Sequence, residues 1–153
     1  PYPGHADDYN WIRNRVFGNI DGERESTNRV YISRSKAVGR RISNEGEVMD
    51  VLKDFGFKKF HLEDRSVSQN VRLFMNAEAV VAPHGAGLTD ILFCDTNCMI
   101  IEIFGSQKTQ AYEHLSSTLN LDYYRMDCQP DGTDISVNPN RLRQNLDEMF
   151  RKR

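Results

Sequence analysis

Two short stretches, Ala79-Val-Val-Ala82 and Cys98-Met-Ile-Ile-Glu-Ile-Phe104, carry apolar side chains at almost every consecutive position. A strand exposed on one face alternates apolar with polar, so unbroken runs of this length suit strands covered on both faces. Such strands need helices above and below them, and helical patterns occupy the intervening sequence. Residues 29–34 alternate as a strand, and Asn44 is a candidate cap for a helix with Glu45 and Glu47 in its first turn. The apolar face of that helix is Val48, Val51, Leu52 and Phe55, and Gly56 stops it. A second strand follows over 57–62, and Ser66 with Gln69 forms a capping-box signature for a helix through Ala77.

Beyond the run at 79–82 the spacing predicts a helix over 88–93, the strand 98–104, a helix over 109–119 and a short strand over 122–126. Asn138-Pro139 marks the cap and first residue of a closing helix that ends in Arg151-Lys152-Arg153. Strand and helix thus alternate with short connections, and right-handed crossovers then give an α/β fold with a doubly wound parallel sheet. Residues 29–153 form this domain, and residues 1–28, with a short helix over 8–17 bearing Trp11, Ile12 and Val16, form a lead-in and linker. Ligands of such sheets bind outside the carboxyl ends of the strands, so the loops after Ser33, Leu62, Ala82 and Ile103 should share one rim.

The formal net charge of −2 gives no global attraction to nucleic acid, so anion binding must come from local clusters. No apolar run is long enough to span a membrane, and the three cysteines, Cys94, Cys98 and Cys128, read as free thiols. The absence of an Asn-x-Ser/Thr acceptor site favours a cytoplasmic location. Beginning at Pro1, the chain reads as a fragment of a longer protein.

The turn His84, Gly85, Ala86, Gly87 and Leu88 stands between a buried strand and a helix. Amides at a helix start lack intrahelical partners and carry partial positive charge, so phosphate is a natural guest. Glycines there permit close approach and positive φ. Neither the GxGxxG fingerprint nor a Walker ending is present, because position 90 is Asp. The loop after the first strand holds Arg34, Lys36, Arg40 and Arg41, and Arg34 with either Arg40 or Arg41 could clamp a diphosphate. Glu102, within an apolar strand, needs a partner, either a rim arginine or ribose hydroxyls. His84 suits a hydrogen-bond donor better than a proton-transfer catalyst. His61, Glu63 and Asp64, and His5, Asp7 and Asp8, lack metal spacing and read as solvated loop charge.

In order along the chain, Ile32-Ser-Arg34, Arg40-Arg41-Ile-Ser-Asn44-Glu45, Ser66-x-Ser68-Gln69, Phe74-x-x-Ala77, His84-Gly-Ala-Gly-Leu-Thr89 and Ile101-Glu102 resemble the family 61 glycosyltransferases, including capsular-polysaccharide proteins. Ala82 and Asp90 depart from it, where glycine and asparagine are common. The resemblance implies one Rossmann-like half of a GT-B architecture, the donor-binding C-terminal half. It implies inverting transfer without a metal or other cofactor, from a nucleotide-sugar, a UDP-sugar, to a glycan acceptor. Arg34 and Arg41 would contact diphosphate, residues 84–88 would present amides, and Glu102 would sit near the nucleoside or its supporting network. Asn44 and Glu45 would cap and brace the basic loop. The acceptor site and general base would come from a missing N-terminal domain of the same protein, so no catalytic residue is assigned here. A noncatalytic nucleotide-sugar-binding module and a pyruvyl-type transferase on a related fold are the alternatives.

Overall fold

A computed structural model describes residues 6–18, 28–107 and 109–151 of the protein. The polar stretch 19–27, His5, Lys152 and Arg153, to which the sequence assigned a linker, a charge cluster and a helix end, lie outside the described residues. The elements run α1 (Ala6–Phe17), β1 (Asn28–Ile32), α2 (Glu45–Asp54), β2 (Phe57–Phe60), α3 (Val67–Met75), β3 (Ala77–Pro83), β4 (Met99–Phe104), α4 (Ala111–Thr118), β5 (Asp122–Asp127), β6 (Gln129–Asp131), β7 (Asp134–Ser136) and α5 (Pro139–Arg151). Short 3-10 segments, Leu62–Asp64 and Ala86–Phe93, precede α3 and β4.

Strands β1 to β5 form one parallel sheet in the order β2-β1-β3-β4-β5. Alternation of side chains divides its core into two layers. Tyr31, Val81, Ile101 and Met126 pack under α2 and α5, whereas Val30, Ile32, Val80 and Ile100 pack against α3, the 3-10 segment Ala86–Phe93 and residues next to α4. The unbroken apolar runs therefore did report burial on both faces. β3 has only one residue, Glu78, that is not buried, and β4 has none.

Local signals account for most element ends. Ser66 accepts from the Gln69 amide and the Gln69 side chain accepts from the Ser66 amide, completing the capping box of α3. Asn138 Oδ1 accepts from the amides of Asn140 and Arg141 at the start of α5. Gly56, at φ 76, ends α2 in the left-handed region.

Three expectations are corrected, and one element was not anticipated. Asn44 does not cap α2 with its side chain, because that amide is turned to the backbone of Val137, donating to its carbonyl and accepting from its N–H. The segment after the glycine turn winds as a 3-10 helix rather than an α-helix. The hairpin of β6 and β7 went unread, although its two-residue Gly132-Thr133 turn, with Gly132 at φ 61, is a hairpin signal. Finally, the apolar side expected of α1 buries nothing, and Trp11 is 66% exposed. That helix is tied down by Arg13 donating to the Cys94 carbonyl and by the Phe17 ring against Phe93. Cys94, Cys98 and Cys128 are free thiols, and no helix among the described residues is long and apolar enough to cross a membrane.

Candidate functional site

A sheet of this order reverses direction between β1 and β3, which opens a crevice at their carboxyl ends. Arg34, two residues past β1, and Gly85, two past β3, meet across that crevice. The Arg34 guanidinium lies where a Gly85 side chain would be, with Cζ only 2.9 Å from an ideal Cβ. A side chain at position 85 would displace this guanidinium. The Gly85 φ of 170 is extended backbone, so the positive φ expected there is not found, and Gly87 is not at positive φ either.

Arg34 is held loosely. One Nη2 bond of 3.4 Å reaches the Gly39 carbonyl, and buried Nε has no partner. Burial, and then the charge of Arg40, push its pKa down. Arg34, Gly39, Arg40, Ser106, Gln107 and Thr133 line an open cleft of about 770 Å³. Arg40 is held there at φ 58, a left-handed conformation that costs a non-glycine residue about 1–3 kcal/mol, with its amide bonded to the Thr133 carbonyl.

The sequence left Arg40 and Arg41 as alternatives for the second arginine, and the resemblance favoured Arg41. Arg41 instead grips Asp134 through Nε and Nη2 and does not line the cleft. That pair holds the Asp134 carboxyl below its usual range, and with the Ile135 amide on the Arg41 carbonyl it clips the basic loop to β7. Lys36 is likewise taken up by Asp64. Glu45 braces the loop's root. It accepts from Tyr31, Ser33 and Lys59, and although burial pushes its pKa up, those bonds outweigh burial and hold it low.

Within the turn, the His84 amide bonds the Ile103 carbonyl and the Leu88 amide bonds the Gly85 carbonyl, so neither is available to a ligand. Leu88 itself is core. The amides of Gly85, Ala86 and Gly87 are bonded by no acceptor among the described residues. Gly87 faces inward, where an added Cβ would sit 3.1 Å from Leu62 Cδ1 and 3.5 Å from Ile32 Cγ2. Gly87→Val should therefore overpack the core, lowering stability by about 1–3 kcal/mol in a denaturant titration. A stability unchanged from the parent protein would contradict this placement. Asp90 is half-buried, and burial raises its pKa.

Glu102 pairs with no rim arginine among the described residues. It is 1% exposed, with Oε1 2.5 Å from His84 Nδ1 and Oε2 accepting from the Tyr123 hydroxyl at 2.6 Å. Through these two contacts Glu102 holds His84 against Tyr123. The His84 ring also stacks on Phe104 at 5.1 Å and leans on Tyr112 at 5.7 Å. Tyr123 and Tyr112 are the site residues that sequence reasoning did not assign.

Burial first, then Glu45 and Glu102 respectively, raise the pKa values of Tyr31 and Tyr123 above the ordinary tyrosine range. A raised folded-state pKa stabilises the fold fully below the unfolded value of about 10, and that contribution is lost as pH climbs toward the folded value. In an alkaline absorbance titration, two of the six tyrosines should ionise only as the protein unfolds. Six reversible ionisations in the folded state would contradict this.

The parallel sheet and its switch-point crevice define a Rossmann-like α/β domain, one half of a GT-B architecture. Its fold matches that of E. coli heptosyltransferase WaaC with ADP at a TM-score of 0.54 and 15% identity, over 90% of this chain and 48% of that one. The chain belongs to the glycosyltransferase 61 family, whose model matches residues 2–101. Among relatives, the protein O-linked-mannose beta-1,4-N-acetylglucosaminyltransferase 2 of Xenopus laevis is 34% identical over 89 residues, 56% of this chain and 15% of that protein. The EGF domain-specific O-linked N-acetylglucosamine transferase of Gallus gallus is 23% identical over 108 residues, 67% of this chain and 20% of that protein. The chain thus spans a small part of the relatives it matches.

Proposed function

We propose that this chain binds a nucleotide-sugar through its diphosphate beside Arg34, at the carboxyl ends of β1 and β3, as the donor half of an inverting, metal-independent glycosyltransferase. The observation that carries the reading is Arg34, a guanidinium at the switch point with an unpartnered buried Nε and no carboxylate bonded to it among the described residues. An anion would satisfy it, and a diphosphate has oxygens enough for Arg34, Arg40 and the amides of 85–87. These groups stabilise the negative charge that builds on the leaving diphosphate as the acceptor hydroxyl attacks the anomeric carbon. The acceptor site and the base that takes the hydroxyl proton belong to another domain of the same protein.

The names of the relatives carry N-acetylglucosamine and protein-linked acceptors. UDP-N-acetylglucosamine and a glycan on protein are therefore the first substrates to try, ahead of a capsular polysaccharide. Calorimetric titration with UDP and UDP-N-acetylglucosamine should show saturable binding to the folded chain without added metal. A folded sample that binds neither these nor any other nucleoside diphosphate would overturn the reading.

A further inference from the structure

The hydrogen count at Glu102 constrains what His84 can offer a ligand. A carboxylate accepts, so with the Tyr123 hydroxyl donating to Oε2, the short contact at Oε1 requires the His84 proton on Nδ1. A neutral ring then has no second proton, and its Nε2 is a bare lone pair. Nε2 is bonded by no group among the described residues, and the His84 side chain keeps 14% of its surface exposed. Its neighbour in sequence, Gly85, lies directly under Arg34. A lone pair facing a phosphate oxygen is repelled by it, whereas an N–H donates to it.

We propose that His84 takes up one proton from solvent as a nucleoside diphosphate binds, so that Nε2 donates to a phosphate oxygen while Nδ1 continues to donate to Glu102. Glu102 is then a positioning residue that fixes the ring and stabilises the imidazolium from behind, with the diphosphate in front. This rests on the proposed function of the cleft. The charged and titratable groups around the ring are compatible with it. Glu102 and Tyr123 form its inner side, and Tyr112 of α4 leans on its face. Arg125 of β5 lies over Phe104, the ring on which His84 stacks, but its charge is met by Asp127. Glu113 of α4 acts on Tyr123, and Asp90 of the 3-10 segment acts on Cys94. Arg34 lies over Gly85, next to His84 in the chain, so an anion held by Arg34 comes to the same turn.

The test is calorimetry of UDP binding to the full chain at pH 8, in two buffers of different ionisation enthalpy. A phosphate monoester loses its second proton near pH 6, so at pH 8 the ligand is already ionised and any proton taken up goes to the protein. The expected result is close to one proton taken up per UDP bound, with affinity falling about tenfold per pH unit between pH 7.5 and 9. His84→Asn should take up none and lose the pH dependence, and Glu102→Gln should take up less than half a proton. If the Glu102 variant does not fold, ring nitrogen NMR of the parent protein decides, since both His84 nitrogens should become protonated on adding UDP. UDP binding with no proton exchange, or with Nε2 unprotonated, would overturn this inference and leave the nucleotide reading standing. Absence of UDP binding would remove the reading on which it rests.

Discussion

Arg34→Ala is expected to weaken binding of UDP and UDP-sugars by about 10- to 150-fold, which corresponds to about 1.5–3 kcal/mol for a charge-assisted hydrogen bond. The fold should not suffer, because this guanidinium contributes little to it. Nε has no partner, the bond to Gly39 is long, and the neighbouring charge is the like charge of Arg40. Gly85→Ala provides an independent route to the same loss. Its methyl would occupy the guanidinium's place and push Arg34 off the crevice while leaving the charge on the chain. Because both changes act through one contact, their combination should cost little more than either alone. Arg41→Ala is the contrast. It should loosen the basic loop by freeing Asp134 without removing a cleft residue, and so affect affinity far less than Arg34→Ala. Calorimetry of the four variants decides the matter, and an Arg34→Ala protein that binds UDP like the parent would sink the assignment.

The contrast between the two arginines shows where sequence reasoning stops. Strand burial, the capping box at Ser66 and the cap at Asn138 were legible because each depends on residues within a few positions. The choice between Arg40 and Arg41 depended on Asp134, 93 positions away in sequence, and so did the use of Asn44, whose side chain goes to Val137 at the same separation. Both partners belong to or adjoin the β6-β7 hairpin, so overlooking its Gly132-Thr133 turn hid both contacts at once. The glycine turn was read as a close approach to an anion, whereas what approaches Gly85 within the protein is a side chain from β1's loop, and Gly87 faces core. No periodicity in the sequence encodes those neighbours.

Glu102 carries the second large effect, this time on stability. A carboxylate in the middle of an apolar strand plainly needed partners, yet these lie 18 and 21 positions away on different elements and could not be chosen from the sequence. Glu102→Ala removes the acceptor of both. The His84 Nδ1 and Tyr123 hydroxyl would each be left without it, at about 1–3 kcal/mol per unsatisfied group. The expected loss is therefore about 2–6 kcal/mol, or about 2–4 °C of melting temperature per kcal/mol for a domain of this size. Glu102→Gln keeps the shape, with its carbonyl available to Tyr123 and its amide to a ring nitrogen, and should cost much less. A cycle with Tyr123→Phe separates network from bulk. Alone, Tyr123→Phe takes a donor from a buried carboxylate and should cost about 1.5–3 kcal/mol. In the Glu102→Ala background the phenol has already lost its acceptor, so the same change should cost nothing or restore stability, a coupling above about 1 kcal/mol. Additive losses would mean that the hydroxyl and the carboxylate act separately. The contact of Glu102 with His84 would then carry its contribution alone.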